Sequence, residues 1–252
     1  MFDFALPPQH LRTIKLTDGH ELTATEAELL DQQRTVYRLK IAPDPDRHKI
    51  STTATSVIVK QQKDEWEDEF ENEETAYNRL EKLQGEVIPY FYGRGYFNGR
   101  PALILSDIDG ISLKDLAHSS NETSEDSLKA HLEEAFSKLS EYGAIYQDQR
   151  LDNFLLCFDK ECGKSKVRVV DLEQVEFPQK VRPWHRQINQ EGARSLIEDF
   201  RYRRNPGCKS PPLQLWVSGN GGSSSAGELD ESAPAINQQN TQRPASIASW
   251  AR

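Results

Sequence analysis

The sequence predicts an α+β fold with a sheet-rich front and a helical back, and three observations carry that expectation. Short β-branched runs such as SVIVK, residues 56–60, lie in the first half of the chain. Two long segments, 64–83 and 123–142, place apolar residues at three- and four-residue spacing. Two pairs of apolar runs separated by turn-forming residues read as hairpins. The order of strands, helix, hairpin, helices, loop and hairpin is that of an α+β layered domain.

Taken along the chain, TVYRLKI (35–41) alternates apolar and polar residues like a half-buried strand. The turn-rich link APDPDRHKISTTAT (42–55) is expected to be exposed, and SVIVK is a buried strand ending in a lysine. Trp66, Phe70, Tyr77, Leu80 and Leu83 then line one side of an amphipathic helix with a very acidic outer face, and Gly85 supplies its stop. In GYFNGRPALILS (95–106), Asn98-Gly99 suits the positive φ angles of a tight hairpin turn. Ser112 opens a short helix, SLKDL, with Asp115 at the fourth position of a capping-box-like pattern. Leu128, Leu132, Phe136, Leu139 and Tyr142 form the apolar face of a longer helix closed by Gly143. After a polar loop, NFLLCF and KVRVVDLE read as two strands separated by DKECGKS, with Cys157 a small core residue. EGARSLIEDFRYRR (191–204) can form one more helix. Beyond it the chain is rich in Ser, Gly, Asn, Gln and Pro, a composition that cannot offset chain entropy by apolar burial, so 204–252 is expected to be a disordered tail.

With 252 residues, 36% of them hydrophobic, the chain can build one substantial domain or two small lobes. A net charge of -9 argues against a nucleic-acid partner, which needs clustered Lys and Arg. Three cysteines, Cys157, Cys162 and Cys208, make no paired framework, and the histidines, His185 among them, show no zinc spacing. The apolar start is broken by Asp3 and Pro7, and no run approaches the length of a membrane span. The expectation is an intracellular, cytoplasmic protein with no membrane partner, the basic cluster RYRR leaving a nuclear location open.

The polar loop YQDQRLDNFLL (146–156) carries the chemistry. Phosphoryl transfer requires little covalent work: ATP must be held, Mg²⁺ bound and a hydroxyl placed in line. Asp148 can accept the hydroxyl proton, Asn153 across the same loop can offer its carbonyl oxygen to Mg²⁺, and Asp171 can supply a hard carboxylate. Arg150 can neutralise charge on the transferred group. Asp148 and Asn153 also suit plain turn capping, and that reading stands beside the catalytic one.

On these residues the sequence resembles the protein-kinase superfamily, whose catalytic loop H-R-D-L-x-x-x-N and metal motif D-F-G are matched by Y-Q-D-Q-R-L-D-N and D-L-E. VIVK, 57–60, resembles the family's strand V-A-I-K, which makes Lys60 the phosphate-side lysine and Glu73, with Glu74 as the alternative, its helix partner. LILSDIDGISL resembles the inter-lobe hinge, so the backbone around Ser106 to Ile108 is expected to face adenine. The resemblance covers roughly 30–177 and is closest to compact kinases related to aminoglycoside and choline phosphotransferases. It implies a two-lobed kinase-like domain over 14–203, with an N-lobe at 14–105 and a shortened C-lobe at 106–203. It also implies ATP and Mg²⁺ as cofactors and a hydroxyl of a protein or a small molecule as acceptor. Departures are visible: LLDQQRTV, 29–36, has no glycine where a glycine-rich loop belongs, Tyr146 replaces a histidine, and Leu172-Glu173 replaces Phe-Gly. Only a short foldable stretch follows Phe177, so the alternative is an inactive pseudokinase or a truncated kinase acting as a binding module.

Overall fold

Alternation along six strands decides which side chains face inward in the N-terminal half of this computed structural model, which describes residues 12–30, 35–43, 50, 54–121, 123–159 and 163–207. The strands β1 (Arg12–Leu16), β2 (Glu21–Leu29), β3 (Val36–Ile41), β4 (Ser56–Gln61), β5 (Phe91–Phe97) and β6 (Arg100–Ser106) close into a barrel in the order β1-β2-β3-β4-β6-β5. Its interior holds Ile14, Leu22, Leu39, Val57, Phe97 and Ile104. Closure depends on β1 lying antiparallel on β5, with Ile14 opposite Phe97 and Leu16 opposite Gly95. A Cβ at Gly95 would stand 2.5 Å from the Lys15 carbonyl oxygen, so only glycine lets the two backbones meet. The sequence predicts no strand before Thr35, although Leu22 and Ala24, alternating with polar neighbours, are the buried positions of β2. The link 42–55 also differs from expectation: Ile50 within it is buried in the barrel.

The other face of β4 presents Ile58 and Lys60 to helix α1 (Glu67–Arg79), which turns Phe70, Glu73, Ala76 and Tyr77 inward. A 3-10 turn at Glu81–Leu83 ends the predicted helical stretch, and the Gly85 N–H donates to the Ile88 carbonyl from a φ of +78°. The hairpin between β5 and β6 has Asn98 at φ 52° and Gly99 at φ 78°, the pair of positive angles the dipeptide implied.

The second half holds β7 (Gly110–Ser112), α2 (Leu113–His118), α3 (Glu125–Glu141), β8 (Ile145–Tyr146), β9 (Phe154–Asp159), β10 (Lys164–Val169), β11 (Val175–Glu176) and α4 (Pro183–Arg204). Ser112 caps α2 by accepting from the Asp115 N–H at 3.0 Å and donating to its carboxylate at 2.8 Å. The fold is α+β, as expected. Helix α4 starts well before the predicted Glu191, because Pro183 fits its first turn and its first half is anchored by polar contacts that no apolar period announces. Gly192 brings α4 against α3: a Cβ there would lie 2.6 Å from the Phe136 ring. None of the described helices is long and apolar enough to cross a membrane. The expected tail beyond 207 lies outside the described residues.

Candidate active site

Strand β4 delivers Lys60 into the interface between the barrel and α1, where it is 3% exposed. Its ammonium lies 2.7 Å from Glu73 Oε2, 2.8 Å from Asp171 Oδ1 and 2.9 Å from Glu173 Oε1. Helical phase separates the two candidate glutamates: Glu73 shares the buried stripe of α1, whereas Glu74, one residue round the helix, pairs with Arg94 at 3.1 Å. The buried Lys60–Glu73 pair resembles the lysine–glutamate pair of kinases.

Burial opposes the charge on Lys60, yet Asp171, Glu173 and Glu73 outweigh it and hold the ammonium well above its ordinary pKa. Burial pushes the Glu73 carboxyl up to about 7 against the attraction of Lys60, with Asp171 and Glu173 adding repulsion. Carboxylate oxygens of Glu73, Asp171 and Glu173 lie within 4.8 Å of one another, so acid outnumbers base in this buried cluster. Lys63 reaches Glu173 only at 3.9 Å.

Asp171 adopts a left-handed φ of 64° as the chain leaves β10. The Leu172 N–H donates to Glu73 Oε1 at 3.1 Å, and the Val170 N–H to the Asn153 carbonyl at 2.9 Å, so the chain on either side of Asp171 is tied to both α1 and the loop 147–153. The buried Tyr146 hydroxyl lies 3.1 Å from the carbonyls of Val170 and of Asp171, a hydrogen-bonded tie between the loop and the strand end.

In the loop itself the Asn153 amide donates to the Asp148 carbonyl at 3.0 Å and to its carboxylate Oδ2 at 2.7 Å. Asn153 Oδ1 is buried with no hydrogen-bond partner among the described residues. Arg150 points to its own loop, 2.7 Å from Asp152, with Lys114 at 3.8 Å from the same carboxylate. At the connection between the two halves, Ser106 Oγ accepts from the Tyr90 N–H at 2.9 Å, and Asp107 accepts from Arg38 and Ser56, each at 2.8 Å. Ile108, next in the chain, is nearly buried.

Sequence reasoning missed two residues of this site. In the sequence Glu173 stands only where a glycine is expected, and its carboxylate gains meaning only from the turn at Asp171 that brings it to Lys60. Asn189 of α4 accepts from the Tyr146 N–H at 3.0 Å and donates to the Ala144 carbonyl at 2.8 Å and Ser140 Oγ at 2.9 Å, fixing the entry to the loop from below. No linear signal marks it, because a lone asparagine in a polar helix start has no pattern.

In structure the chain is similar to the kinase domain of Mycobacterium tuberculosis PknI, with a TM-score of 0.50 and 16% identity over 82% of each chain. A variant of that domain with a cysteine replaced by alanine gives 0.51 and 12% identity, covering 81% of this chain and 80% of the other. No known family profile and no curated protein sequence matches. The chain therefore has the protein-kinase-like fold, shared in three dimensions at low sequence identity.

Proposed function

We propose that this chain is an ATP- and Mg²⁺-dependent phosphotransferase that moves the γ-phosphate of ATP to a hydroxyl of a protein or a small molecule. The carrying observation is the meeting of Lys60 with Glu73 and Asp171 at 2.7 and 2.8 Å, a strand, a helix and a loop converging on one ammonium. Lys60 binds and orients phosphate oxygens, with Glu73 fixing its position. The backbone around Ser106 to Ile108 receives the adenine.

Oxygen donors suit Mg²⁺, and the residues present fit it: Asp171 offers a hard carboxylate, and the partnerless Asn153 Oδ1 is a buried oxygen in need of one. Held by Asp171 and Asn153, the ion would neutralise phosphate charge. Asp148 takes the proton of the acceptor hydroxyl as its oxygen bonds to the γ-phosphorus and the bond from that phosphorus to the β–γ bridging oxygen breaks, releasing ADP. The Asn153 amide on Oδ2 orients Asp148 for this task. Arg150 neutralises the transferred group after leaving Asp152.

Two observations favour a second reading, a non-catalytic binding module: Glu173 already occupies Lys60 at 2.9 Å, and 29–36 offers no glycine for phosphate contact. Nucleotide binding to the purified chain with and without Mg²⁺, followed by ATP turnover, separates them. Mg²⁺-dependent binding with turnover supports the phosphotransferase. Neither binding nor turnover at about millimolar nucleotide, a generous concentration against typical enzyme KM values, leaves the binding module.

A further inference from the structure

The six residues from Leu172 to Phe177 run along α1 and touch it at three separated points. The Leu172 N–H donates to Glu73. The Asn72 amide reaches two carbonyls, Glu173 at 2.6 Å and Val175 at 3.1 Å. The Arg79 guanidinium stacks over the Phe177 ring at 4.0 Å. Both partners of Asn72 are acceptors, so only its NH₂ group can serve them, which fixes the orientation of the amide. Asn72 and Arg79 stand two helical turns apart on one side of α1.

What this strap connects gives Asn72 its significance. Val175 pairs with Tyr146, and the Gln147 N–H donates to the Gln174 carbonyl at 3.1 Å, so the strap is also the edge on which the loop of Asp148 and Asn153 is built. Directly after it the chain passes through 177–182 into α4, leaving no room for a long segment that could order or disorder on modification. Asn72 thus spans from the helix that carries Glu73 to the strand pair that carries the loop.

We propose that Asn72, supported by Arg79, is a positioning residue that latches α1 onto the strap 172–177 and keeps Glu73 on Lys60 permanently, so that the site is assembled without an activation step. The consequence for the reaction rests on the phosphotransferase reading; the latch itself does not. Asn72→Asp keeps the shape but turns acceptor against acceptor, and it separates the two.

By hydrogen exchange, the Leu172 and Val175 amides of Asn72→Asp should exchange at least about tenfold faster than wild type, while the barrel amides of Val57 and Val59 stay unchanged. In turnover, KM for Mg·ATP should rise by a similar factor of about ten with kcat kept within about threefold, the signature of weakened nucleotide binding at Lys60 and not of a lost catalytic group. Exchange at Leu172 and Val175 within about twofold of wild type overturns the latch, whatever the turnover. If Asn72→Asp does not fold, Arg79→Ala decides the same question on the same amides. Faster exchange in a protein that binds no nucleotide keeps the latch and rejects the phosphotransferase.

Discussion

Two walls of the candidate site are built on different electrostatic plans. Around Lys60 a single ammonium is surrounded by three buried carboxylates, and stability there depends on charge. Around Asp148 and Asn153 the donors and acceptors are mainly neutral amides, the Asn153 amide, the Asn189 amide and the Gln149 side chain, which donates to Ile188 and Tyr146 carbonyls, with the Arg150–Asp152 ion pair within the loop. A charge-held wall responds to pH and to anions and cations that enter it. A wall held mainly by neutral amide donors keeps its geometry as pH changes. The difference teaches that one wall is suited to receive a charged ligand and the other to stay rigid beside it.

The largest test of this contrast is Lys60→Met. It strands three carboxylates without a counter-charge, and urea unfolding at neutral pH should show a loss of about 3–5 kcal/mol. A loss under about 1 kcal/mol, the level of a surface pair, would show that the cluster is hydrated and not charge-held.

On the other wall, Asp148→Asn should lower turnover about a hundredfold, or about 2.7 kcal/mol of barrier, with Mg·ATP affinity nearly unchanged. Asp171→Asn should instead weaken Mg²⁺-dependent binding, read by titration calorimetry with and without the ion. Equal effects of the two variants on binding would merge the roles assigned to the two walls.

A smaller effect lies in pH. Glu73 holds its proton up to about 7 in the folded chain against an ordinary 4.5. Between those values the native state binds more protons than the unfolded one, so the contribution of Glu73 to stability is complete below 4.5 and is lost as pH rises through about 7. Glu73→Gln should flatten that part of the stability profile measured by thermal unfolding, and an unchanged slope would assign it elsewhere. Smallest of all, Glu74→Gln breaks only the partly exposed pair with Arg94, so it should cost less than about 1 kcal/mol. Nearly equal costs at these adjacent glutamates would erase the distinction that helical phase draws.

Much of the site was legible because its chemistry sits in short local motifs. Lys60 ends a β-branched strand, Asp148 and Asn153 share one loop, and Asp171 follows a strand, so residue type and local element together pointed to each. The choice of Glu73 over Glu74 was not legible in EFENEE, since it needs the rotation of α1 relative to β4. Nor was Glu173, whose carboxylate gains meaning only from the left-handed turn at Asp171 that swings the chain back to Lys60. Asn72 and Asn189 share a further reason: each acts by donating amide hydrogens to backbone carbonyls far along the chain, and backbone carbonyls carry no sequence signature.

By itself the sequence determined the α+β class, most elements, the hairpin at Asn98-Gly99 and the order of the charged site residues, because propensity, period and turn chemistry act over a few residues at a time. Only the tertiary structure decided the closure of the barrel through β1 on β5, the early start of α4, the crowding of three acids on Lys60 and the strap along α1. These depend on approach distances between segments far apart in the chain, such as Gly95 against Lys15 and Gly192 against Phe136. In such places the energy lies in burial and in hydrogen bonds that exist only after the segments have met.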